Sequence, residues 1–166
     1  MFDLRRTGFL LGACLLIRVV GCGSSVDIPD LVEVSGIVTL DGQPLPGATV
    51  YFIPKLQFAP AAGTDQPRLI EESAGLTDEQ GHFRLRGIHK ESGWGAMVGD
   101  HRVLIRKRVM KDGSAVPTGD VDLAILETSM KELLPAIYSD EQQTTLSAQV
   151  PTEGLVLNFD LQSKGK

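Results

Sequence analysis

Cysteine is nearly absent from this chain of 166 residues, and both copies, Cys14 and Cys22, fall at its start. The rest of the chain can therefore form no disulfide and do no thiol chemistry. Aromatic residues are few, 5% of the total, and Trp94 is the one tryptophan. A surplus of positive charge is missing as well: 16 Lys and Arg stand against 21 Asp and Glu, a net charge of −5. That balance argues against a phosphate backbone as the main partner, so no nucleic acid is expected. No apolar run reaches the ~20 residues of a membrane-spanning helix. There is no G-x-S-x-G nucleophile elbow and no H-E-x-x-H pair, and His82, His89 and His101 are scattered too widely for a metal site. No metal, cofactor or catalytic residue is expected, and the chain reads as something other than an enzyme.

What is present is turn chemistry and alternation. The chain holds 18 glycines and 9 prolines, a composition that suits a turn-rich β-protein. Its organising stretch is residues 32–54, VEVSGIVTLDGQPLPGATVYFIP. Val32, Val34, Val38 and Leu40 share one side of an extended strand, with Glu33, Ser35 and Thr39 on the other. Asp41-Gly42 marks a tight turn, Pro44, Pro46 and Gly47 an irregular loop, and Ala48, Val50 and Phe52 a second strand.

Further strands follow from the same pattern. Phe83 and Leu85 face inward with Arg84 and Arg86 outward, and Val103 and Ile105 face inward with Arg102, Arg106 and Arg108 opposite. Leu146, Ala148 and Val150 form another strand, and Leu155, Leu157, Phe159 and Leu161 the last. Residues 55–72 and 89–98 lack a period and read as surface connections. Residues 120–135 hold the one helical candidate. Ser129 and Glu132 have capping-box spacing there, which places a short helix near 128–134. About seven strands with frequent turns predict an all-β antiparallel Greek-key sandwich over residues 32–162.

The beginning of the chain reads as an address. Arg5-Arg6 precede an apolar run over residues 8–17, the charged and hydrophobic parts of an export signal. Val19-Val20-Gly21-Cys22 then resembles the bacterial lipobox, with an aliphatic residue three before the cysteine and a small one just before it. On this reading residues 1–21 are a lipoprotein signal peptide, Cys22 is the lipidation site, and residues 22–31 are a tether. Leu11-Gly12-Ala13-Cys14 is a competing lipobox that leaves a shorter apolar run before the cut. Several acyl chains make such an anchor effectively permanent, at ~0.8 kcal/mol per buried CH₂. Gly23, where aspartate would favour retention on the inner membrane, favours the outer one.

Three motifs carry a resemblance. Val34, Gly36, Val38, Gly42, Pro44, Leu45, Pro46, Gly47, Ala48 and Val50 fit the opening signature of carboxypeptidase regulatory-like domains. Thr77-Asp78-Glu79-Gln80-Gly81-His82-Phe83 resembles their T-D-x-x-G-x-F turn. Gly99-Asp100-His101-Arg102-Val103-Leu104-Ile105 resembles their G-x-Y-x-V-x-V strand, with His101 in place of the usual aromatic. The whole chain is similar to small lipoproteins of planctomycete type that carry one such domain. The resemblance implies a transthyretin-like (prealbumin-like) sandwich without an assigned activity. The hydroxyisourate hydrolases of the transthyretin family end in a Y-R-G-S type tail, whereas this chain ends Gln162-Ser163-Lys164-Gly165-Lys166.

Each candidate site has two readings. Arg102, Arg106 and Arg108 could bind an acidic glycan or a partner's carboxylates, or they could form a solvated edge that resists strand pairing. Trp94, between Gly93 and Gly95, could stack on a sugar or fold back over the core. Asp41 and Asp78 could accept turn N–H groups or help to hold calcium. The leading expectation is a lipid-anchored, non-catalytic module of the cell envelope, facing the periplasm or exterior. It would meet the membrane through its anchor and an envelope protein through its loops. The alternatives are a glycan- or peptide-binding protein using Trp94 and the arginine strand, and an enzyme with an unrecognised site.

Overall fold

The computed structural model describes residues 30–55, 70–89, 91–117 and 123–164. The expected leader, Cys22 and the tether as far as residue 29 lie outside the described residues, as does most of the 55–72 connection.

The chain begins with β1 (Leu31–Val32) and β2 (Val34–Leu40), where Val34, Gly36 and Val38 are buried in alternation. Asp41 (φ 52) and Gly42 (φ 78) both take positive φ, the geometry that closes a two-residue hairpin between twisted strands. That turn delivers β3 (Gln43–Pro44), and β4 (Thr49–Pro54) then buries Val50 and Phe52. The strands β5 (Ser73–Leu76), β6 (His82–Arg84), β7 (Arg86–Gly87), β8 (Ala96–Met97), β9 (Gly99–Arg106) and β10 (Arg108–Met110) follow. Then come α1 (Leu123–Ser129), β11 (Met130–Glu132), α2 (Ala136–Ser139), β12 (Ser147–Val150), β13 (Leu155–Val156) and β14 (Phe159–Leu161).

Two larger sheets result, as the alternation predicts for an all-β sandwich. One runs β12-β9-β4-β5-β7 and is antiparallel throughout. The other is built around β2, which pairs antiparallel with β3 and β6 and parallel with β13 and β14. The parallel pairing departs from the purely antiparallel expectation, because the last strands run back alongside the first. Val34, Val38, Phe83, Phe159 and Leu161 from one sheet join Val50, Phe52, Val103 and Ile105 from the other in a single core. Each such side chain contributes ~1.5–3 kcal/mol when fully buried.

Between β6 and β7 the chain crosses from one sheet to the other. Buried Leu85 marks the crossing, its N–H donating to the Val34 carbonyl at 2.9 Å. Arg84 and Arg86, on either side of it, are both exposed.

The helix lies elsewhere than 128–134. Ser129 ends α1, and residues 130–132 form a strand paired with β10. The spacing of Ser129 and Glu132 suits a capping box, but the two side chains bond differently. Ser129 Oγ donates to the Ile125 carbonyl, and Glu132 Oε1 accepts from the N–H groups of Lys107 and Leu134 at 2.9 and 3.0 Å. The second short helix, α2, packs on β9. Leu104, on the face opposite Val103 and Ile105, is buried there too.

Candidate functional site

Trp94 stands at the β7 edge of the β12-β9-β4-β5-β7 sheet, held there by backbone. Arg86 and Trp94 form a β-bridge, Gly87 N–H donates to Gly93 O, and Gly95 N–H donates to Leu85 O at 2.8 Å. Gly95 (φ 116) is required at this point, because a β-carbon would collide with the Val32 carbonyl. The indole is 53% exposed, so it does not fold back over the core. Two guanidinium groups approach its ring instead, Arg84 at 4.8 Å and Arg86 at 5.7 Å from the centroid. Arg84 also meets Glu33 at 3.2 Å, and Arg86 Nε donates weakly to Ser92 O at 3.4 Å.

The arginines expected to accompany Trp94 are on other strands. β7 and β9 are three strand spacings apart, roughly 14 Å of sheet. Arg102, Arg106 and Arg108 do not form one row either. The chain leaves β9 after Arg106, and Arg108 belongs to β10, which pairs with β11. Arg102 meets Glu141 at 3.3 Å, while Arg106 Nε donates to Ser139 O at 2.9 Å and lies 5.9 Å from the Tyr51 ring. Arg106 and Arg108 do share a cleft of about 590 Å³ with Glu127, Lys131, Glu132 and Asp140. Much of its charge is already engaged: Glu132 by backbone N–H groups, and Lys131 Nζ by the Lys111 carbonyl at 2.9 Å.

A buried carboxylate that no sequence pattern signals lies near the opposite side of the Trp94 hairpin. Glu71 is fully buried; its Oε1 accepts from His89 N–H at 3.1 Å and its Oε2 from His89 Nδ1. Gly87 has no room for a β-carbon because the Glu71 carboxylate and Ser92 crowd its α-carbon. Burial acts to raise the Glu71 pKa and is the largest influence on it. The adjacent Ser92 hydroxyl, which lacks full hydrogen-bond geometry, and the His89 amide and imidazole together outweigh burial, holding the carboxyl below its ordinary range. A buried carboxylate orienting an imidazole is also how bases and metal ligands are positioned. Among the described residues no nucleophile bonds His89, and no group of three or more His, Cys, Asp or Glu is suited to a metal.

The other candidates are structural. His101, near the start of β9, is 1% exposed and hydrogen-bonded. It sits in the core, its ring 5.6 Å from that of Phe52, with Nδ1–H donating to Gly99 O at 3.0 Å. Burial pushes its pKa down, and its Nε2 has no hydrogen-bond partner among the described residues. His82 is exposed beside Asp78, as its turn position predicts. Asp78 Oδ1 accepts the Gln80 and His82 N–H groups at 2.9 and 2.8 Å, the turn-holding role rather than a cation site. Asp41 Oδ1 instead accepts the N–H of Ser163, which ties the first hairpin to the end of the last strand.

A scan against protein-family models, a search of curated proteins and a search of solved structures found no match to this chain.

Proposed function

We propose that this chain is a lipid-anchored, non-catalytic β-sandwich of the carboxypeptidase regulatory-like, transthyretin-like kind, acting as a structural or interaction module of the cell envelope. The lipobox at Cys22 supports the anchor, and Gly23 supports the outer membrane. The observation that carries the module reading is how the polar side chains are used. Glu71, Thr77, Asp78 and Glu132 are bonded to backbone groups that hold turns and crossings, while the large aromatic Trp94 is left half exposed on a rigid edge. Such a surface suits contact better than turnover. The test is fractionation of cells expressing the full chain and its Cys22→Ser variant. The native chain should remain with outer membranes, and the variant should be released or keep an uncut leader. Native protein in the soluble fraction would overturn the reading.

A second reading has one observation in its favour. The Arg108 side chain makes no hydrogen bond or ion pair with the other described residues, although it lines a cleft with Arg106 and Lys131. An acidic glycan or peptide carboxylate could be held there by paired guanidinium donors. A glycan array probed with the native chain and with Arg108→Gln should show a signal for uronate-bearing sugars that the variant loses. No sugar-dependent signal would remove this reading.

A further inference from the structure

The point at which the tether joins the sandwich lies beside Trp94. Leu31 and Val32 pair with Met97 and Ala96, and the close approach of Gly95 to the Val32 carbonyl sets the Trp94 hairpin directly against β1. Glu33, one residue further, holds Arg84, whose guanidinium lies over the indole. The same edge carries two exposed aliphatic side chains. Ile88 is 52% exposed and follows Arg86 with buried Gly87 between them, so the two project to one face. Leu76 is 68% exposed, two residues from Ala74, the cross-strand partner of Arg86. One corner thus collects the tether junction, the one tryptophan, two arginines and two exposed aliphatics.

The tether is short. Nine residue steps separate Cys22 from Leu31, at most roughly 30 Å of chain. A folded unit of ~130 residues has a radius of gyration of about 14 Å. An acyl group on Cys22 would therefore keep the sandwich within touching distance of the lipid, with the tethered corner nearest.

We propose that this corner, formed by Trp94, Ile88, Leu76, Arg84 and Arg86, docks on the phospholipid surface that holds the anchor. The inference rests on the lipid-anchor reading above. An indole has an apolar body and a polar N–H, and it settles at the headgroup level of a bilayer. Guanidinium groups bond lipid phosphates through paired N–H donors and lose hydration more readily than ammonium groups. Glu33 already compensates Arg84, so the phosphate contact falls chiefly on Arg86, whose side chain makes only the long bond to Ser92 among the described residues. Exposed Asp30 and Glu91, close in sequence, oppose an anionic surface. The ring and the aliphatics therefore supply most of the attraction, and the tether makes a weak patch sufficient by raising its local concentration. A soluble protein or sugar would gain nothing from the short tether, whereas a bilayer is where the tether ends.

Trp94 is the one tryptophan, so its fluorescence reports this corner alone. The full mature protein is reconstituted into vesicles of phosphatidylethanolamine and phosphatidylglycerol, with and without brominated acyl chains. A docked indole should shift to the blue and be quenched about twofold by the brominated lipid, as at a headgroup boundary. Arg86→Gln and, separately, Ile88→Ser should each reduce that quenching, with circular dichroism unchanged from the native chain. Emission indifferent to bromination would overturn the proposal. So would an indole that brominated lipid leaves unquenched but added envelope glycan shields. The mass of the N-terminal tryptic peptide separates the two readings. Acylated Cys22 with an unquenched indole removes the docking face and keeps the anchor. Quenching without acylation keeps the docking face and removes the anchor.

Discussion

His89 donates its Nδ1–H to Glu71, a carboxylate with no solvent exposure, while the imidazole itself stands half in water. An ionised carboxylate can only accept, so the bond fixes the histidine tautomer with its proton on Nδ1. The pair joins the start of β5 to the connection after β7, eighteen residues further along the chain. It closes the edge on which the Trp94 hairpin rests.

Because the folded Glu71 pKa lies below its ordinary value, the unfolded chain takes up this proton first as pH falls. The stability Glu71 contributes is full above the ordinary glutamate pKa and is lost as pH falls through the lower folded value. His89→Ala should cost about 1–3 kcal/mol at neutral pH, by leaving a buried acceptor short of a donor. It should also move the acid loss to higher pH. Glu71→Gln should flatten the acid dependence. Urea unfolding midpoints at a series of pH values measure all three effects.

His101 gives a second acid-sensitive point with the same sign. Burial lowers its pKa in the fold, so its contribution is full above the ordinary histidine value near 6.5 and is lost as pH falls through the lower folded value. His101→Phe places an aromatic against Phe52 without a group to titrate. The slope of stability with pH just below 6.5 should shrink in that variant, as followed by denaturant midpoints at pH 7 and pH 5.

Thr77 secures the loop between β3 and β4 from beneath. Its buried Oγ1 accepts from Ala48 N–H at 2.8 Å and donates to the Leu45 carbonyl at 2.6 Å. Thr77→Val keeps the volume but leaves both backbone groups without that partner, and should cost about 2 kcal/mol. Thr77→Ser should retain most of the stability. Thermal unfolding of the two variants side by side is the check.

The layered β architecture was legible because period-two alternation is a local property. Ala48, Val50 and Phe52 are buried as their spacing predicts, as are Phe83 and Leu85. What was not legible depends on partners distant in the chain. Glu71 lies at the end of a stretch without a period, and only His89 and Ser92, from beyond the next strands, make its burial tolerable. Arg86 meets Trp94 because a hairpin folds eight residues back on themselves, a pairing that neither residue signals alone. Leu104 reads as outward by alternation and is buried where α2 packs on β9. Arg108 leaves the row of Arg102 and Arg106 because the strand breaks at Lys107.

The anchor at Cys22 is tested most directly by mass spectrometry of tryptic peptides from the membrane-purified protein. Trypsin cuts after Arg18 and after Lys55, with no Lys or Arg between them. A mature lipoprotein should yield residues 22–55 carrying a diacylglycerol thioether and an acylated amine on Cys22. An unmodified peptide of residues 19–55, which includes the uncut Val19-Val20-Gly21, would contradict the account.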